Sequence, residues 1–392
     1  MSDRRTLVAT CGAHFIQDGL VALQYVLLPI LAQVFGLNYT QVGFLRAASN
    51  SAMTLLEIPA GVLAERFGES RLLVFGLLCA GLGYLGVALA SEFYLIVIGF
   101  LVTGSGAAFQ HSLASAMIAN RFGDAERRRS LGIYNAFGDA GKLAFSGIFG
   151  VAIGAGFAWN LVVTGLCLVT LAFTVLLLFL LNHGSVAQQA DANEKQAVAA
   201  RGKWGIKNPR KFAWLGITVF IDTLAQAVFL TFIAFLVLQK GGGETLASMA
   251  VVLALCGGMV GKFASGYLAA RYGDRGAFRI LQLLTVAGLL ALGPLPMVPA
   301  LILLPLIGLA VQGSSTVTYG ALSDFVHKDR QSRGYAMIYT LSSLSAVVGP
   351  LIFGGLADLY GVDVSFALLA LLTSLTLVSG KVLQKSTPLI GY

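Results

Sequence analysis

Six charged side chains stand inside long apolar stretches of this 392-residue chain: Asp18, Glu57, Asp139, Lys142, Asp222 and Lys262. A charge at bilayer depth is costly, so such a group faces a cavity or a partner and is a functional candidate by default. His14 and Asp18 are four apart and share one helix face, with Gln17 beside them. A histidine–carboxylate pair in a wet cavity can take up and release a proton near neutral pH. The plainer alternative is a pair that only ties its helix to a neighbour. Asp139 and Lys142, three apart, can pair along one helix. Glu57 shares a stripe with Arg46, Asn50 and Thr54, and Pro59 supplies a kink just beyond. Ser342, Ser343 and Ser345 are expected to face that stripe. Asp222 and Gln226 repeat the Asp18 theme later in the chain. Paired carboxylates suit a proton, a cation or an amine-bearing cargo, whereas Lys142, Lys262 and Arg46 suit an anionic or zwitterionic one. Both readings stay open.

The elements that carry these residues are apolar. The chain is 57% hydrophobic and 11% charged, against about 25% charged in a soluble domain. Apolar runs reach transmembrane length again and again, so the chain reads as an all-α polytopic membrane protein. Twelve helices are predicted, at roughly 7–34, 40–66, 71–90, 94–120, 129–155 and 159–182, then 210–238, 244–270, 277–297, 299–325, 332–359 and 364–384. The polar stretch 183–209 reads as a cytoplasmic linker between a bundle at 1–182 and a bundle at 210–392. The sixth and twelfth helices carry almost nothing polar and are expected to face lipid. Met1–Arg5 leads into an apolar run too long for a cleavable signal peptide.

The net charge of +8 has a topological cause rather than a nucleic-acid partner. Arg4, Arg5, Arg66, Arg71, Arg121, Arg127, Arg271, Arg275, Arg279, Lys328, Lys381 and Lys385 all fall in loops of one side, and Lys240 falls on the other. That is the positive-inside pattern, with both termini cytoplasmic. The four cysteines, Cys11, Cys79, Cys167 and Cys256, lie in apolar runs without disulfide or metal spacing. No phosphate-binding loop, metal-ligand cluster or nucleophile–base set is visible, so neither a cofactor nor catalysis is expected.

The chain also repeats itself. Gly61-Val-Leu-Ala-Glu65-Arg66-Phe-Gly68-Glu-Ser-Arg71 returns as Gly266-Tyr-Leu-Ala-Ala270-Arg271-Tyr-Gly273-Asp-Arg275, at a constant offset of 205. At nearly that offset Asp18 matches Asp222, Glu57 matches Lys262, and Gly132 matches Gly334. Two parallel six-helix repeats around a central cavity follow, with cargo expected between them at mid-depth. The glycines are expected to let helix backbones approach closely, and the loop to act as a conformational gate.

This loop resembles the signature between the second and third helices of the major facilitator superfamily, roughly G-x-L-A-D-R-x-G-R-R/K. Glu65 replaces the usual Asp, and Ala270 removes the acid from the second copy. The first half is most similar to the fosmidomycin-resistance efflux proteins, through His14-Phe-Ile-Gln-Asp18, Pro29-Ile-Leu, Gln41-Val-Gly43 and Gly104-Ser-Gly-Ala-Ala-Phe109. Where that family continues His-Pro-Glu-Ser-Ser, this chain reads Gln110-His111-Ser-Leu-Ala-Ser115. Gln110 and His111 are candidate cargo contacts, with a packing role equally open to His111. The Arg that drug exporters of the superfamily carry early in the fourth helix is missing; Phe100 stands nearest.

The resemblance implies proton-coupled secondary transport of a small molecule by alternating access, in the export direction. It also implies a monomer in a bacterial cytoplasmic membrane. Import of a small organic anion is the second reading, and a non-transporting receptor a third. In this superfamily the fifth and eighth helices meet, and Asp139 and Lys262 each lie about ten residues from a cytoplasmic end, roughly 15 Å deep. They are expected to pair in one conformation and part in another. Replacing Asp18 by Asn is expected to abolish gradient-driven flux in vesicles while leaving the chain able to fold. Undiminished flux would remove Asp18 from the mechanism.

Overall fold

The computed structural model describes residues 3–119, 121–181, 205–327 and 331–383. Most of the linker expected at 183–209 lies outside the described residues, as do Lys328, Lys385 and the side chain of Glu65. The described chain is helical: α1 (Asp3–Phe35), α2 (Tyr39–Phe67), α3 (Glu69–Ala88), α4 (Phe93–Ala107), α5 (His111–Ala119), α6 (Asp124–Gly154), α7 (Trp159–Leu181), α8 (Pro209–Gln239), α9 (Glu244–Leu292), α10 (Met297–Ala321), α11 (Gln331–Tyr360), α12 (Val362–Ser374) and α13 (Thr376–Ser379). The one β feature among the described residues is an isolated bridge, Ile206 to Val326.

Ten stretches are long and apolar enough to cross a membrane, with α4 and α5 together forming one of them. The twelve predicted crossings reconcile with that number in two places. α9 runs 49 residues and contains two spans that meet at Gly273. α2, at 29 residues, has its apolar character diluted by Arg46, Asn50 and Glu57.

Helices dominate because hydrocarbon offers backbone groups no partner but each other. Hydroxyls obey the same rule. Thr10, Thr170, Thr174 and Thr231 each donate to the carbonyl four residues back, at 2.6–2.9 Å. Outward-facing Leu55, Ile58, Val151, Ile302 and Leu371 remain exposed, as a lipid-facing surface requires. α8 starts on a capping signature: Asn208 accepts from the Lys211 N–H, and Pro209 follows at the first helical position.

The repeated loop has a backbone cause. Gly68, between α2 and α3, has φ 85°, and Gly273, its partner in α9, has φ 69°. Residues with a Cβ rarely adopt that region, so both copies need glycine there. The cation–π contact repeats too: Arg66 lies 5.5 Å from the Phe67 ring centre, and Arg271 lies 5.5 Å from that of Tyr272. Gly61 and Gly266 differ from the expectation. A Cβ at either would meet nothing within 4 Å, so no neighbouring backbone approaches them.

Two further boundaries depart from the predicted ones. The fourth apolar run is not one helix, because Ala108–Gln110 form a turn between α4 and α5. Phe109 and Gln110 donate to the carbonyls of Gly106 and Ala107, three residues back, which tightens the turn. Gly104 is pressed against the Ser49 carbonyl and Gly106 against that of Gly76, so close packing holds the segment on two sides. The last apolar run breaks at Leu375, between α12 and α13.

The helices form two compact units. The first comprises residues 1–35 and 48–202, with α1 packed along α6 and α3 against α4 and α7. The second comprises residues 36–47 and 203–392, with α9 against α10 and α8 against α11. In the second unit the Asp358 carboxylate caps the start of α2, accepting from the Tyr39 N–H at 2.7 Å and the Thr40 N–H at 2.8 Å. Within their units α1 and α8 are the most enclosed helices, and α6, α7 and α11 among the least.

Close contact of α1 with α6 depends on Gly141. A Cβ there would collide with the Phe15 carbonyl, whereas one at Gly147 would meet nothing. Gly141→Leu is therefore expected to destabilise the protein by about 1–3 kcal/mol, read as a lower melting temperature in detergent, with Gly147→Ala unchanged or slightly stabilised.

Candidate functional site

Asp18 lies in mid-α1, 4% exposed, and three elements converge on its carboxylate. Lys142 of α6 places Nζ 2.9 Å from Oδ2 and 3.1 Å from Oδ1 of Asp139. His14, one turn earlier on α1, places Nε2 3.3 Å from the same Oδ2. His111, first residue of α5, places Nε2 3.6 Å from Oδ1. The sequence predicts the Asp139–Lys142 and His14–Asp18 spacings. It gives no sign that Lys142 and His111 reach Asp18.

Local sequence makes the convergence possible. Gly138 faces the cluster, and a Cβ there would strike the His14 ring and Asp18 Oδ2. Gly138 and Gly141 thus flatten one face of α6, and Lys142 extends from its edge to the acid on α1. The turn at Ala108–Gln110 restarts the chain so that His111 meets Asp18 and Gln110 meets Tyr134, whose hydroxyl accepts from Gln110 Nε2 at 3.4 Å.

The His14 ring carries the most informative geometry. Its Nδ1 lies 2.8 Å from the backbone carbonyl of Tyr134, and the Tyr134 ring stacks on it with centroids 3.9 Å apart. A carbonyl only accepts, so Nδ1 holds a hydrogen. In the neutral ring Nε2 is then a lone pair facing a carboxylate oxygen, and two acceptors repel. One further proton, on the imidazole or on the acid, turns the contact into a hydrogen bond. A single proton between His14 and Asp18 would satisfy both, with Lys142 and Asp139 alongside.

His14, Asp18 and His111 also offer ligand atoms within 4.8 Å of one another, a cluster that sequence spacing does not reveal. The Nδ1-to-carbonyl bond is of the kind that orients a metal-bound histidine. The Lys142 ammonium opposes that use, because it already contacts Oδ2 and repels a second cation there. The donor set fits a proton better than a metal ion.

The second unit treats its matching acid differently. Asp222 of α8 is 2% exposed, and its Oδ1 accepts from Gln282 Nε2 of α9 and, at 2.7 Å, from the Ser314 hydroxyl of α10. Gln226 Nε2 lies 3.3 Å from Oδ2. Among the described residues no cation reaches Asp222. Nearby, Tyr319 and Ser342 share a hydrogen bond at 2.7 Å. Tyr134, Gln282, Ser314 and Tyr319 did not stand out in the sequence. Gln282 had a legible signal, a lone amide in an apolar run, whereas Ser314 had none.

Gln17 is buried, with neither amide atom bonded to protein. Glu57 is half-buried on α2, and Lys262 and Ser343 are half-buried on α9 and α11. Arg46 and Asn50 are buried on α2. Of the gate loop, Arg66, Arg71 and Arg271 are exposed.

The Asp18–Lys142 contact implies a specific coupling. Lys142→Met alone leaves the carboxylate without its ammonium, and Asp18→Asn alone leaves the reverse. Each is expected to lower the melting temperature, and the double variant should recover much of the loss, with a coupling energy of about 0.5–3 kcal/mol. Additive losses would show the pair to be uncoupled.

The family model for the Major Facilitator Superfamily matches residues 10–241 and 215–388. A 3-(3-hydroxy-phenyl)propionate transporter of Escherichia coli is 24% identical over 83% of this chain and 79% of its own length. A glucose/galactose transporter of Brucella abortus is 28% identical over 90% of this chain and 87% of its own. Among solved structures, a bacterial homologue of the human lysosomal transporter Spinster, in an inward-facing and occupied conformation, superposes with a TM-score of 0.77 at 14% identity, covering 96% of this chain and 95% of that one. At that identity the likeness speaks for the fold alone. With nearly its whole length matched and its helices long and apolar enough for repeated crossings, the chain belongs to the Major Facilitator Superfamily and has that family's polytopic membrane fold.

Proposed function

We propose that this chain is a proton-coupled secondary transporter in which the His14–Asp18 pair carries the proton and Lys142 reads its protonation state. The observation that supports this most is the His14 ring. With Nδ1 committed to the Tyr134 carbonyl, its contact with Asp18 is favourable only when a proton lies between them. Protonation of the acid removes half of the charge that holds Lys142, leaving the ammonium to Asp139. The α1–α6 link then weakens in a low-dielectric setting, and the equilibrium between conformations shifts by that difference in interaction energy. The half-exposed His111 gives the buried acid a route for protons to and from water. Asp222, Glu57 and Lys262 are assigned to cargo binding or to a second titrating step.

Export of a small molecule is the direction implied by the sequence resemblance of the first half to fosmidomycin-resistance proteins. Import of a small organic anion is favoured by a different observation. Lys142, His14 and His111 gather beside the two carboxylates of Asp18 and Asp139, so uptake of one proton neutralises the cluster and removes its repulsion of an anionic cargo. The relative whose substrate is an aromatic acid agrees with that reading. Both directions use the same proton site. The cytoplasmic membrane, a monomer, and cytoplasmic termini complete the proposal.

The test is proton movement in proteoliposomes on addition of candidate cargos, namely small organic acids, phosphonates and cationic drugs. A cargo-dependent proton flux is expected, lost in Asp18→Asn and strongly reduced in His14→Gln. Cargo movement with no proton flux in the parent protein would refute coupling at this site. The sign of the proton flux relative to the cargo separates import from export.

A further inference from the structure

Outside the two buried clusters, the most prominent concentration of unneutralised charge is on the second unit, where α8, α9 and the broken last helix meet. A cavity of about 420 Å³ is lined by Lys211, Trp214, Ser379 and Lys381. A second, of about 250 Å³, is lined by Arg275, Arg279 and Lys381. Lys381 belongs to both, so the two form one basic depression, and no acid lines either. Among the described residues none of the four cations meets a carboxylate. We infer that this depression binds the phosphate-bearing headgroup of an anionic phospholipid.

The walls are built rather than incidental. The Arg275 guanidinium donates to the Lys381 carbonyl, tying the last turn to α9. Thr218 of α8 donates to Ser379 at 2.8 Å, tying the same turn to α8. Past Leu375 the chain continues through α13 into a 3-10 turn at Gly380–Val382, which carries Lys381 at this corner.

A lipid fits better than free phosphate because the depression opens onto an apolar surface. Trp214 and Ile217, one turn apart on α8, are 51% and 45% exposed, and Leu375 and Val378 beside them are 53% and 60% exposed. Tryptophan is favoured at headgroup level, and basic pockets between helices on the cytoplasmic side suit anionic headgroups. The acyl chains then lie along those four side chains while the phosphate meets the lysines and arginines. The start of α8, the Gly273 bend and the end of the last helix share the side that the charge pattern assigns to the cytoplasm. The inference is independent of the proton site, because none of its residues touches that cluster.

The test is native mass spectrometry of the full chain in detergent, titrated with phosphatidylglycerol or phosphatidylcholine. Lys211→Gln/Lys381→Gln is compared with the parent and with Lys211→Arg/Lys381→Arg. The parent and the arginine variant are expected to retain phosphatidylglycerol, and the glutamine variant to bind it about tenfold more weakly. All three are expected to melt alike, since both lysines are surface side chains. Equal retention by parent and glutamine variant, or equal binding of phosphatidylcholine, would overturn the assignment. Displacement of phosphatidylglycerol by millimolar inorganic phosphate would assign the depression to a free anion and overturn the lipid reading.

Discussion

One buried carboxylate sets the terms for the first unit. Asp18 is enclosed by α1, α5 and α6, and a lone anion there would be strongly disfavoured in a medium that solvates charge poorly. The ammonium of Lys142 and the two imidazoles supply the compensation. Meeting that need dictates much of the local architecture. α6 must approach α1 closely, so Gly138 and Gly141 face it. The fourth crossing must turn, so that His111 arrives beside the acid.

The second unit meets the same requirement with different chemistry. Asp222 occupies the matching position on α8, yet its partners are amides and a hydroxyl. Neutral donors hold a carboxylate through dipoles alone, whereas an ammonium also offsets its charge. Duplication thus preserved the frame while the two acids diverged in their surroundings. The frame itself is held by backbone geometry: Gly68 and Gly273 both take a positive φ, and each is preceded by an aromatic ring under an arginine.

Departures from regular helix mark the places where polar groups cluster. The turn at Ala108–Gln110 borders the Asp18 cluster, and the break at Leu375 borders the basic depression. In hydrocarbon a helix is the default because it satisfies every backbone group internally. A break is tolerated where protein, water or a headgroup can meet the freed groups. Small residues allow it in the first case, through Gly104 and Gly106, and in the second the Leu375 amide keeps a partner in the Leu372 carbonyl.

The sequence by itself determined the class of protein, because hydrophobic runs of bilayer length and a two-fold repeat are properties of residue order. It also determined the local pairs, His14 with Asp18 and Asp139 with Lys142, since a helix places residues three and four apart side by side. Only tertiary structure decided that Lys142 and His111 share Asp18, that Tyr134 fixes the His14 hydrogen, and that Asp222 meets Gln282 and Ser314. Those contacts join helices far apart in the chain, and their register is set by how glycine faces and tight turns let backbones approach. The glycines of the repeated loop show the same division. Their recurrence was legible, but the sequence suggested close packing. The structure instead finds a positive φ at Gly68 and Gly273, and open space beside Gly61 and Gly266.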